Sequence, residues 1–81
     1  MRAHTEYEEL KGILEHWVEH NLGRTDELRS SAQRAMQLGD TDVASKVGAA
    51  VLGLEVATEC LQAALESVGR SRRAVSRNRR I

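Results

Sequence analysis

Apolar residues recur along the second half of the chain at helical spacing: Val43, Val47, Ala50, Leu54, Ala57, Leu61, Ala64 and Val68 follow one another in alternating steps of four and three. Held for more than three heptads, this pattern predicts a helix with a continuous apolar seam. A second row, Ala44, Val51, Thr58 and Leu65, runs beside the first at steps of seven. Together the rows make a stripe wider than one neighbouring helix covers, so this helix is expected to touch at least two others. The first half carries a looser seam of Leu10, Leu14, Trp17, Asn21, Leu28, Ala32 and Ala35, weakened in the middle by polar Asn21 and by Gly23-Arg24-Thr25. A continuous or kinked helix is favoured there over a break recapped by Thr25 or Asp26.

Between the halves, Leu38-Gly39-Asp40-Thr41-Asp42 reads as a chain reversal. Gly39 suits the left-handed position that ends a helix, Asp40 or Thr41 suits the cap of the next one, and Asp42 is favourable in its first turn. There is no proline and no alternating β-branched run that would favour a strand. The expected fold is all-α: an antiparallel helical hairpin with a helix at about 4–38, a turn at 39–40 and a helix at about 41–68, followed by a basic tail, 69–81, expected to be disordered. Helices of this size are about 40 to 50 Å long.

A single hairpin leaves half of that stripe wet. Two hairpins paired into a four-helix bundle would bury the second row, and Gly48, Ala49, Ala50, Gly53 and Ala57 would allow close helix approach. A homodimer is therefore the expected architecture, with Trp17, Val47, Val51, Leu54, Thr58, Leu61 and Leu65 at its interface and Trp17 anchoring the hairpin core. Composition argues the same way. With 81 residues, no Phe, one Trp and one Tyr, the chain has little bulky material for a core. Ordering each residue costs about 1.5 kcal/mol, and scaffolds this small commonly depend on a staple, a metal or a partner chain.

Cys60 is the only cysteine, which excludes an intrachain disulfide framework and a cysteine-rich zinc site; it reads as a small packed hydrophobe in a reducing compartment. Lys46 and Glu55 bracket the longest apolar run, Val47 to Leu54, far short of the roughly 18 residues of a membrane span. No basic-then-apolar leader opens the chain. The expectation is a cytoplasmic protein without a membrane partner.

Zero net charge hides an asymmetry. All 12 acidic residues lie between Glu6 and Glu66, and residues 1–68 carry six basic ones, Arg2, Lys11, Arg24, Arg29, Arg34 and Lys46; the other six, Arg70, Arg72, Arg73, Arg77, Arg79 and Arg80, follow. The body thus carries −6 and the tail +6. An arginine-rich arm binds phosphate backbones by charge and counterion release, so nucleic-acid binding through those six arginines is the alternative function. The tail has no aromatic residue to stack on a base.

The one candidate for site chemistry is Glu15-His16-Trp17-Val18-Glu19-His20-Asn21, in which His16 and His20 stand one helical turn apart. Imidazoles at i and i+4 can converge on one cation, and a transition metal such as nickel or zinc fits these ligands. Glu19, at i+3 from His16, is a candidate third ligand. Two histidines from one helix do not close a site, so the balance would come from a symmetry mate, the other helix or water. The same residues match the H-x-x-E-H pattern of inverted zinc peptidases, but a chain this short, with no strand to align a peptide and no distant third ligand, does not support that chemistry. A di-iron centre fails because Ile13 and Trp17 hold the positions three before each histidine. Nothing here composes a hydrolase constellation or a phosphate-binding loop. The expected function is a noncatalytic binding or assembly module with a metal site at the histidine pair.

His16, Trp17, Val18, Glu19, His20 and Asn21, with the acidic and alanine-rich segments after them, resemble a family of small uncharacterised prokaryotic helical proteins with a His-Trp-(Ile/Val)-Glu-His-Asn signature, over roughly residues 10–68. The resemblance implies a helical hairpin, and a third histidine four residues beyond His20, where this chain has Arg24.

Overall fold

Two helices, α1 (Arg2–Gln37) and α2 (Thr41–Arg79), make up a computed structural model that describes the backbone of residues 2–79 and the side chains of residues 5–74. They pack antiparallel as a hairpin 65 Å long, and no strand occurs among the described residues.

The reversal is built from two adjacent residues. Gly39 has φ 77° and donates its amide to Met36 O at 2.9 Å, while Asp40 donates to Ala35 O at 2.9 Å. This is the Schellman pattern, which satisfies two carbonyls left open at the end of α1. Asp40 also caps α2: its Oδ1 accepts from the Val43 amide at 3.1 Å, and its carbonyl accepts from Ala44 at 3.1 Å. One aspartate therefore closes the first helix and opens the second.

α1 runs unbroken through Gly23. Thr25 does not recap the chain; its hydroxyl donates to Asn21 O at 2.8 Å inside the continuing helix. α2 passes the expected end near residue 68 and continues to Arg79, so residues 69–79 are helical where a disordered tail was expected. Arg72 is half-buried and pairs with Glu8 near the start of α1, which fastens the basic segment to the body. Arg80 and Ile81 lie outside the described residues.

The seam differs from the sequence reading in a systematic way. On α1 the least exposed positions are Tyr7, Lys11, Leu14, Val18, Asn21, Thr25, Leu28, Ala32 and Ala35, a strict alternation of four and three. Leu10 and Trp17, expected in the seam, are 43% and 48% exposed, so Trp17 does not anchor the hairpin core. On α2 the buried row is Ala44, Val51, Thr58 and Val68, with Val47, Leu54, Leu61 and Leu65 half-buried around it. Val51 and Thr58, expected at an interface between copies, are already covered within the hairpin. The row left bare is Val43, Ala50 and Ala57.

Much of α2's apolar surface consequently remains open. Its stretch Thr41–Ala74 contains an 18-residue window of mean hydropathy 1.3, of which only 11% is buried. By length and average hydropathy this helix is apolar enough to cross a membrane, although Lys46 and Glu55 interrupt every long uncharged run. Inside the body its apolar character serves one neighbour, α1, and has no second one.

Candidate assembly face and histidine pair

The seam orients everything else on α1. With Leu14, Val18, Asn21 and Thr25 turned toward α2, the heptad places Leu10, Trp17 and Arg24 on one flank, Ile13 and His20 just beyond them, and Glu9, His16 and Gly23 on the outermost row. On α2 the matching flank holds Val43, Ala50 and Ala57, with Gly53 and Cys60 just beyond.

In an antiparallel pair, like flanks share a broad side of the hairpin. On one broad side Arg29 pairs with Glu55 across the helices, Leu22, Asp26, Thr58, Glu59 and Gln62 complete a shallow groove around them, and Met36 and Leu52 are exposed. The other presents Leu10, Ile13 and Trp17 from α1 and Val43, Ala50, Gly53, Ala57 and Cys60 from α2, all exposed, together with the Arg24–Glu27 pair and Lys46. Ile13 is 55% exposed, a large apolar side chain with little cover of its own.

His16 and His20 stand at the outer edge of that second side, both exposed. Their ring centroids are 6.3 Å apart with planes inclined by 21°, so the imidazoles lie side by side along the helix. Trp17 meets both rings edge-on, at 5.7 Å from His16 and 5.3 Å from His20. The indole thereby fills the inner side of the pair and leaves the histidines open outward. Glycines hollow out the helix at both ends of the pair. One hollow is lined by Glu9, Gly12, Ile13, His16 and Trp17, the other by Glu19, His20, Gly23, Arg24 and Glu27. A side chain added at Gly12 or Gly23 would meet nothing within 4 Å.

Among the described residues, no three His, Cys, Asp or Glu side chains cluster tightly enough to hold a metal ion. Glu19 shares a hollow with His20 but does not complete a three-ligand group with the pair. A single copy offers two imidazoles, and carboxylates at Glu9, Glu15 and Glu27 surround them with negative charge; Glu27 is engaged by Arg24 at 3.0 Å.

The arginines of the alternative reading are dispersed. Arg70 donates to Ser67 at 3.1 Å, Arg72 is held by Glu8, and Arg73 is exposed next to Gly69. The side chains of Arg77, Arg79 and Arg80 lie outside the described residues.

Residues 10–68 match the family described as a domain of unknown function (DUF8180). The chain belongs to that family. The match spans most of both helices and includes the histidine pair and the apolar face. No curated protein and no solved structure is significantly similar to the chain.

Proposed function

We propose that this DUF8180 hairpin is a noncatalytic assembly module that pairs with a second copy of itself, apolar face to apolar face, in a four-helix bundle. The reading rests above all on the large apolar side chains that the hairpin leaves uncovered. Leu10, Ile13, Trp17, Val43, Ala50 and Ala57 are all exposed on one broad side, which they share with the Arg24–Glu27 pair, and α2's most apolar window is only 11% buried. Large apolar side chains left exposed on a chain this small call for a protein partner. Alanine and glycine on the α2 half let helices approach closely, and exposed Leu10, Ile13 and Trp17 on the α1 half supply the large contacts.

Size-exclusion chromatography with light scattering on untagged protein tests the proposal. A dimer is expected at micromolar concentration, and Ile13→Glu and Ala57→Glu, each placing a carboxylate within the contact, are expected to yield helical monomers. A wild-type monomer, or a dimer indifferent to both substitutions, would overturn it. The His-Trp-Val-Glu-His-Asn segment at the edge of the face makes His16 and His20 the module's site for a transition metal such as zinc or nickel.

A further inference from the structure

We infer that one divalent transition-metal ion is bound between two copies, held by His16 and His20 of one chain and the same pair of its partner; this rests on the pairing proposed above. Two imidazoles per chain fall short of a closed zinc-type site, and a two-fold axis doubles them to the four that such sites use.

The position of the pair along the helix makes this arrangement accessible. His16 and His20 are centred on Val18, which is half-buried in the seam, and α1 (Arg2–Gln37) has its midpoint between residues 19 and 20. At 1.5 Å per residue the two centres differ by about 2 Å. A two-fold axis crossing α1 at Val18 therefore lays the α1 helices of two copies antiparallel over nearly their full length while bringing both histidine pairs to the axis. The heptad angles agree. His20 lies between the direction of the partner and the outer edge of the hairpin, and His16 lies at that edge, so the two rings bracket the groove that forms where the α1 helices meet.

The same axis makes the face self-complementary. Ile13 and Gly23 stand five residues to either side of Val18, so Ile13 of each copy falls opposite Gly23 of the other. Ile13 is 55% exposed, and the space a Gly23 side chain would fill is open, so no side chain of Gly23 stands at the height of the partner's Ile13. In the parallel bundle, with α1 over the partner's α2, the histidine pairs stand on opposite corners and share no ion.

Native mass spectrometry of the untagged full chain with added zinc chloride, paired with light scattering, distinguishes the outcomes. One zinc per two chains is expected, lost in His16→Ala and in His20→Ala while the dimer mass persists. Gly23→Leu, which sets a side chain at the height of the partner's Ile13, is expected to weaken the dimer and the zinc uptake together. Cys60 stands near the height of the pair on the same broad side, so a short bismaleimide is expected to link the two Cys60 thiols in the zinc-bound dimer. A dimer that takes up no zinc, takes one ion per chain, or keeps its zinc after both histidine substitutions would overturn the shared site and leave the pairing intact. A zinc-free monomer would overturn both.

Discussion

The same substitution, glycine to alanine, is expected to act in opposite directions at two positions of this hairpin. Gly39 has φ 77°, in the left-handed region, where an L side chain costs about 1–2 kcal/mol. Nothing stands within 4 Å of an added Cβ there, so the cost is conformational and not steric. Gly48 lies inside α2 on the flank toward the side of the Arg29–Glu55 pair, away from the proposed contact, and an added Cβ there also meets nothing within 4 Å. Alanine at a helix interior is better than glycine by about 0.5–1 kcal/mol, because it narrows the unfolded ensemble. Urea unfolding followed by far-UV circular dichroism reads both effects. For a small protein the slope is about 1 kcal/mol per molar urea, so the midpoint should rise by about 0.5–1 M in Gly48→Ala and fall by about 1–2 M in Gly39→Ala. Protein concentration must be held fixed, since a dimer's midpoint depends on it. A neutral Gly39→Ala, or two shifts of the same sign, would refute the left-handed closure of the turn.

Asp40→Ala should destabilise by about 1 kcal/mol in the same assay, since it removes the side-chain acceptor of the Val43 amide while the backbone bonds of the turn remain; Asp40→Asn should recover most of the loss. Flotation with phosphatidylcholine vesicles should leave the protein in the unbound fraction despite α2's mean hydropathy. Inserting α2 would carry Glu55 and Glu59 into hydrocarbon and break the Arg29–Glu55 pair, at a cost of several kcal/mol. Co-flotation that survives high salt would show that lipid, and not a second hairpin, covers the apolar face.

The helices and the reversal at Gly39 and Asp40 were legible in the sequence, because each follows from local chemistry: spacing, a left-handed glycine and a capping carboxylate. The seam of α1 was harder to read for a reason that is not local. Leu10 and Trp17 are the larger apolar side chains, and together with Leu14 and Asn21 they suggest a seam turned toward their flank. Continued downstream at the same spacing, that flank meets Arg24 and Ser31, whereas the flank of Lys11 and Val18 meets Thr25 and Ala32. A straight helix has to present one side along its whole length, and the second choice keeps a guanidinium out of the core. It admits Thr25, whose hydroxyl is satisfied by Asn21 O, and Lys11 near the open end, where a long aliphatic stem can lie along the seam with its ammonium in water.

The same trade explains why α2 buries Ala44, Val51 and Thr58 in preference to Val43, Ala50 and Ala57. Both rows are small and apolar enough to pack, so spacing alone does not separate them. The row chosen turns Glu55 toward Arg29 across the helices. Packed this way, the hairpin sets Leu10, Ile13, Trp17 and the histidine pair on the side away from that ion pair. The tail shows the complementary limit of local reading. Its arginines and serines have the composition of a disordered arm, yet a salt bridge from Arg72 to a carboxylate 64 positions earlier holds the extension of α2 against α1.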